Sequence, residues 1–298
     1  MRFGIMTMQI ETLIPSGLPV DQMLAHISDF DYAQLVRSMS ESGFRTIELG
    51  GDLTLFLPTI FQQKSIEALS RVKEELDLSY TVHLPLWSVE PSTPLEPVRR
   101  GSANAIVDCI RSTTSLNPEV YVFHATGALA AEFYRMNLPE IAREFILHQF
   151  KSNAAQSLKQ ILAETGIPSR KIAIETIEFP FGLTLDLAEE LDLSLCLDTG
   201  HVLSGFSGTV TVEEVLEASM PRLAEVHLHD SPQHKPGQKI NYGQDHRPLG
   251  TGDLNLEYVL DRLVAAEFQG PVIFELQLHE ALESLNVIRA LRPGLPIE

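Results

Sequence analysis

At 298 residues and 33.1 kDa, with 44% apolar residues and a mean hydropathy of +0.03, the chain can bury a sizeable core, which excludes intrinsic disorder. A formal charge of −18 disfavours nucleic acid and anionic membrane as partners, and no Lys/Arg cluster offsets it. The two cysteines, Cys109 and Cys196, are too far apart for a metal or redox motif and read as reduced, buried thiols.

Arg2 is the one basic residue at the N-terminus, and Gln9 and Glu11 break the apolar start. Neither a signal peptide nor a membrane span is expected, which makes the cytoplasm the expected compartment. Strand-like runs of β-branched and aromatic residues then recur at Phe3–Met8, Thr46–Leu49, Tyr80–Leu84, Val120–His124, Lys171–Glu175, Ser194–Asp198, Glu225–His229 and Val272–Leu276. Helical patterns separate them at Asp31–Ser42, Ser65–Leu76, Leu95–Ser115, Pro139–Thr165, Thr184–Leu191, Thr211–Ser219, Asn255–Ala266 and His279–Leu291. Gly43 and Gly166 punctuate helix ends, and Thr184, Thr211 and Asn255 stand where N-caps are expected.

Strict alternation of eight strands with eight helices predicts an α/β fold, a single (β/α)8 barrel domain over residues 1–298, because each right-handed crossover places its helix outside a parallel sheet. Two connections, His124–Leu138 and Asp230–Leu254, exceed what simple crossovers need and read as functional loops.

The strand ends carry the chemistry. His83, His124, Glu175, Asp198 with His201, His227 and Glu275 all fall where a barrel gathers its C-terminal mouth, and the loop Gln244–Gly250 adds Asp245 and His246. A single such residue is ordinarily a rim or salt-bridged group. Their coincidence at consecutive strand ends instead points to a common divalent metal centre, for which mixed His and carboxylate donors suit Zn²⁺, Mn²⁺ or Mg²⁺.

His227 and His229 share one strand face, so one is expected on metal and the other on substrate or on a supporting carboxylate. Asp230 reads as a turn residue and Cys196 as packing. Glu48 is expected either inside the barrel or paired with a base. Gly50 and Gly51 permit close approach of substrate or simply a tight turn. Arg247, with Arg135 second, is the best-placed clamp for a phosphate or carboxylate, the alternative being simple exposure, and Trp87 reads first as a packing residue and second as one that stacks on a planar substrate group.

The segments Leu197-Asp198-Thr199-Gly200-His201, Val226-His227-Leu228-His229-Asp230, His246-Arg247-Pro248-Leu249-Gly250-Thr251-Gly252 and Phe274-Glu275 resemble the xylose isomerase-like TIM barrel superfamily, which includes endonuclease IV and sugar isomerases and epimerases. The resemblance implies a single-metal site at Glu175, Asp198, His227 and Glu275, and places His83, His124, His201 and His246 where the endonuclease IV branch adds ligands for a multinuclear zinc site that hydrolyses phosphodiesters. In that branch an Asp stands two residues before the last His. Here Gln244 holds that place and Asp245 is adjacent, which leaves a third ion open.

The first expectation is therefore a phosphoester hydrolase acting on a small phosphodiester with two or three ions, with Glu175, Glu275 and His201 as catalytic groups. A cobamide-remodelling phosphodiesterase, which cuts the nucleotide loop of corrinoids, is one branch that the chain resembles. The alternative is a sugar or sugar-phosphate isomerase or epimerase with one ion and a Glu base. A third, non-catalytic binding barrel would lack central ligands, and none of the four is missing. The expected partner is a small molecule, with neither nucleic acid nor membrane, and assembly into a homo-oligomer stays open.

Overall fold

The computed structural model describes residues 1–9, 17, 19–235 and 243–295. Residues 236–242 of the second long loop, and Glu11 near the N-terminus, lie outside the described residues. Its eight strands close into a parallel barrel in sequential order. They are β1 (Arg2–Met6), β2 (Thr46–Gly50), β3 (Ser79–His83), β4 (Tyr121–Phe123), β5 (Ile172–Glu175), β6 (Ser194–Asp198), β7 (Leu223–His227) and β8 (Pro271–Phe274). Pairing of Phe3 with Val272 and of Ile5 with Phe274 closes the ring.

The helices are α1 (Val20–Ser28), α2 (Tyr32–Glu41), α3 (Gln63–Leu76), α4 (Glu96–Thr113), α5 (Ala128–Arg135), α6 (Glu140–Thr165), α7 (Phe181–Glu190), α8 (Thr199–Leu203), α9 (Val212–Ser219), α10 (Leu256–Ala265) and α11 (Leu278–Leu291). Among the described residues none is long and apolar enough to cross a membrane.

Side-chain alternation divides each strand between two environments. Ile47, Tyr80, Val82, Ile174, Leu195, Leu197 and Val226 belong to the large core shared with the helices. The residues between them point into the barrel, where Val122, Ala173 and Cys196 form a small apolar group. Cys196 is thus a packing residue, and burial pushes its thiol well up.

Several boundaries differ from the sequence expectation for local reasons. The loop His124–Leu138 contains α5, and Thr184 lies inside α7, whose chain enters through Pro180. Strand β7 stops at His227 rather than His229, because the His229 N–H is donated to the Thr199 hydroxyl (3.1 Å). Thr211 and Asn255 do cap their helices, Thr211 in a reciprocal box with Glu214.

Candidate metal centre

Strand register sets the depth of each inward group. Gly50 lies beside His83, and Glu48 lies beside Thr81 one step deeper, while Asp198 is level with His227. The central donors are Glu175, Asp198, His227 and Glu275, each of which offers one ligand atom within 4.8 Å of all the others. His227 Nδ1 stands 3.4 Å from Glu275 Oε1 and 3.8 Å from both Glu175 Oε2 and Asp198 Oδ2. An ion with bonds of about 2.1 Å spaces neighbouring donors by roughly 3–3.5 Å, so the group is close to the size of one cation.

Two further donor sets adjoin it. His83 Nε2 and His124 Nε2 approach Glu175 Oε2 at 3.1 and 2.8 Å. His201 Nδ1 lies 2.9 Å from Glu175 Oε1 and its Nε2 3.3 Å from Asp245 Oδ2, and His246 bridges Asp245 and Glu275 at 3.1 Å on each side. Asp245 therefore reaches the centre, whereas Gln244 accepts a hydrogen bond from Arg247.

Unsatisfied atoms provide the test of fit. Glu175 Oε1, His201 Nδ1 and both ring nitrogens of His227 are buried without a hydrogen-bond partner. Such groups are costly to bury unless something else engages them, and a divalent cation matches this mixture of imidazole and carboxylate donors.

Protons partly fill that role in the protein alone. Burial opposes charge on His83, yet Glu175, Glu48 and Glu275 together push its pKa up to about 9. His246 stands at the rim with its side chain 44% exposed; crowding by neighbouring atoms opposes its charge, and Asp245 and Glu275 outweigh that, raising the pKa to about 10. Despite burial, the surrounding histidines hold Glu175, Glu275 and Asp245 well below the usual carboxylate range. His229 runs the other way: burial, reinforced by neighbouring His246 and His201, lowers its pKa in spite of Asp198.

Supporting contacts hold the donors in place. The His83 Nδ1–H is donated to the Leu84 carbonyl (3.0 Å), which leaves Nε2 for the centre. Asp198 Oδ1 accepts the His201 backbone N–H (2.6 Å) at the start of α8. The carboxylate of Asp230 accepts N–H groups from Ser231, Gly250, Gly252 and Leu254, a turn role that pins the second long loop. His246 adopts a left-handed backbone (φ 31°), a strained conformation of the kind that concentrates at functional sites.

The other expected residues are sorted by their surroundings. His229 is fully buried, with Nδ1 accepting the His246 N–H (2.9 Å) and Nε2–H donated to Asp198 Oδ2 (2.8 Å), so it supports a carboxylate, and it also falls within ligand distance of His201, His246 and Glu275. Glu48 is also fully buried, below the mouth, beside His227 and Glu225. Arg247 is occupied by Gln244 and by a backbone bridge to Asp230, and Arg135 lies over the Phe206 ring; neither lines the cavity. Gly50 and Gly51 line the cavity, and a Cβ on Gly51 would strike Pro85 and the His83 carbonyl.

Trp87 does line the cavity and is half exposed. Glu225 had no place among the expected site residues, although it shares the strand face of His227 two residues on. The cavity measures about 770 Å³, with His83, His124, Glu175, His201, His246 and Glu275 on its floor, a size suited to a small molecule.

The protein MJ1311 of Methanocaldococcus jannaschii is 22% identical over 239 residues, covering 76% of this chain and 74% of that protein. A D-tagatose 3-epimerase-like protein superposes with a TM-score of 0.72 at 19% identity, covering 98% and 97% of the two chains. Endonuclease IV from Thermus thermophilus gives 0.63 at 17% identity, covering 88% and 94%. At these identities the solved structures establish the fold alone. The family description "Xylose isomerase-like TIM barrel" matches residues 36–291, and the chain belongs to that family.

Proposed function

We propose that the chain is a metal-dependent phosphoester hydrolase acting on a small phosphodiester. By number, the similar solved structures favour sugar epimerases, but the fold hosts both chemistries and the site has to decide between them. The observation that carries the hydrolase reading is the approach of His83 and His124 to a single oxygen of Glu175, at 3.1 and 2.8 Å. These two imidazoles are donors that a four-ligand, one-ion centre does not use. Together with His201, Asp245 and His246 they surround the central group with positions for further cations.

Divalent ions bound there would polarise phosphoryl oxygens and lower the pKa of an attacking water. The chain's own contribution is placement. Glu175 presents one oxygen to His83 and His124 and the other to His201, so it is the group best placed to join two cation positions. Asp245 and His246 close the side facing solvent, and Glu275 sits between His246 and His227. Among the described residues lining the cavity there is no Lys or Arg, so binding of an anionic phosphodiester rests on the cations themselves.

A second reading, a sugar isomerase or epimerase, is favoured by the completeness of the central four. Glu175 and Glu275 flank His227 and could move a proton between adjacent carbons around one ion.

Metal content and turnover separate the two. Two or three ions per chain, hydrolysis of a model phosphodiester, and a loss of about 100-fold or more on His83→Ala or His124→Ala are expected for the hydrolase. One ion per chain, with solvent deuterium appearing on a ketose carbon and no phosphodiester cleavage, would establish the epimerase in its place. A cobamide belongs on the panel of phosphodiesters.

A further inference from the structure

Beneath the mouth lies a group of polar residues that neither reading uses. Glu48 and Glu225 are completely buried inside the barrel, and His227 Nε2 points between them, 3.4 Å from Glu48 Oε2 and 3.9 Å from Glu225 Oε1. Thr81 donates its hydroxyl to Glu225 Oε1 (3.1 Å), but both oxygens of Glu48 and the second oxygen of Glu225 have no hydrogen-bond partner. The ion pairs of the described residues place no Lys or Arg beside either carboxylate; histidine is their only cationic neighbour.

Burying a carboxylate in this way costs several kcal/mol, and an apolar residue of similar volume would fit a barrel interior better. Stability therefore does not account for Glu48. Geometry relates it to His227 instead. The two nitrogens of that ring face opposite ways: Nδ1 looks up to Glu175, Asp198 and Glu275, and Nε2 looks down to Glu48. An imidazole that offers one nitrogen to a cation must carry its proton on the other, and that N–H needs an acceptor to fix both tautomer and ring plane. Glu48 is the nearer of the two carboxylates, and Glu225, anchored by Thr81, backs it from the adjoining level.

We propose that Glu48 is a positioning residue which accepts the Nε2–H of His227 and so directs Nδ1 to the metal centre. This inference rests on the metal-binding part of the function proposed above. The step forms only a hydrogen bond, and the carboxylate touches neither substrate nor cation.

The experiment measures Zn²⁺ affinity by chelator competition, metal content, and thermal stability of the metal-free full chain, for wild type, Glu48→Leu and Glu48→Gln. Glu48→Leu should weaken the tightest Zn²⁺ site by about 10–100-fold. Its metal-free melting temperature should be unchanged or raised. Glu48→Gln retains an amide oxygen as acceptor and should lie nearer wild type, so it also serves if the Leu variant does not fold. A long-range ¹H–¹⁵N histidine spectrum of the Zn²⁺-loaded wild type should show His227 protonated on Nε2.

Wild-type affinity in both variants would overturn the proposal, as would a lower metal-free melting temperature with unchanged affinity, which marks a purely structural role. Loss of one whole equivalent of zinc with the remaining sites unchanged would also overturn it, by making Glu48 a ligand. Absence of Zn²⁺ binding by the wild type would instead sink the metal reading itself.

Discussion

At Gly200, between Asp198 and His201, the chain cannot tolerate a side chain. A Cβ on Gly200 would strike the His229 ring, which packs there to donate to Asp198. Gly200→Ala should thus displace His229, cost about 1–3 kcal/mol through overpacking, and weaken metal binding because Asp198 loses its supporting donor. A urea titration and a zinc competition measure the two effects; wild-type values for both would show that the ring has another place to go. Gly200 illustrates which parts of the site could be read from the sequence. His83, His124, Glu175, Asp198, His201, His227 and Glu275 could be named because each ends a strand or follows one closely, and His246 because it stands in the long loop after β7; the barrel does bring their ligand atoms together. Three others required coordinates. Glu48 and His229 carry the right chemistry, but that Glu48 stands beside His227 and His229 donates to Asp198 is visible only in the folded chain. The choice between Gln244 and Asp245 depends on a left-handed turn at His246 that no local pattern announces.

At the level of elements, periodicity located all eight barrel strands and the eight crossover helices, because a residue buried against a helix layer must alternate with one facing the barrel. The helices that escaped, α1, α5 and α8, are short. Helix α8 has five residues, is buried throughout, and forms as the Asp198 carboxylate caps it, so it has no amphipathic period to read. Helix α5 follows Gly127 in a segment whose length suggested a loop. The connection after β7 is organised by one side chain: Asp230 accepts four backbone N–H bonds of 2.9 to 3.0 Å and pairs through its backbone with Arg247. Asp230→Ala should strand these donors, destabilise the chain by about 3 kcal/mol or more, and release the stretch 243–254 that carries Asp245 and His246. Limited proteolysis should then cut within residues 231–254 faster than in wild type, with activity falling in parallel. An unchanged cleavage pattern would mean that the Arg247 bridge alone holds the loop.

Across the whole molecule, the mouth links stability to both pH and metal. A raised histidine pKa means that the folded, metal-free protein binds protons there which the unfolded chain, titrating near 6.5, does not. The stabilisation from His83 and His246 is therefore fully present below about pH 6.5, and is lost as pH rises through their folded values of about 9 and 10. Metal binding needs the same imidazoles neutral, so cations and protons compete, and the apparent affinity should rise across the interval in which the metal-free fold weakens. Metal-free protein should accordingly melt at progressively lower temperature from pH 7 to 9.5, while the gain in melting temperature on adding saturating Zn²⁺ or Mn²⁺ should grow over that range. Calorimetry in buffers of different ionisation enthalpy should register proton release on metal binding at pH 7 that diminishes toward pH 10. Metal-free stability that stays level or climbs with pH, or binding without proton release at neutral pH, would show that the imidazoles at the mouth are already neutral and that the carboxylates around them are held by something other than charge.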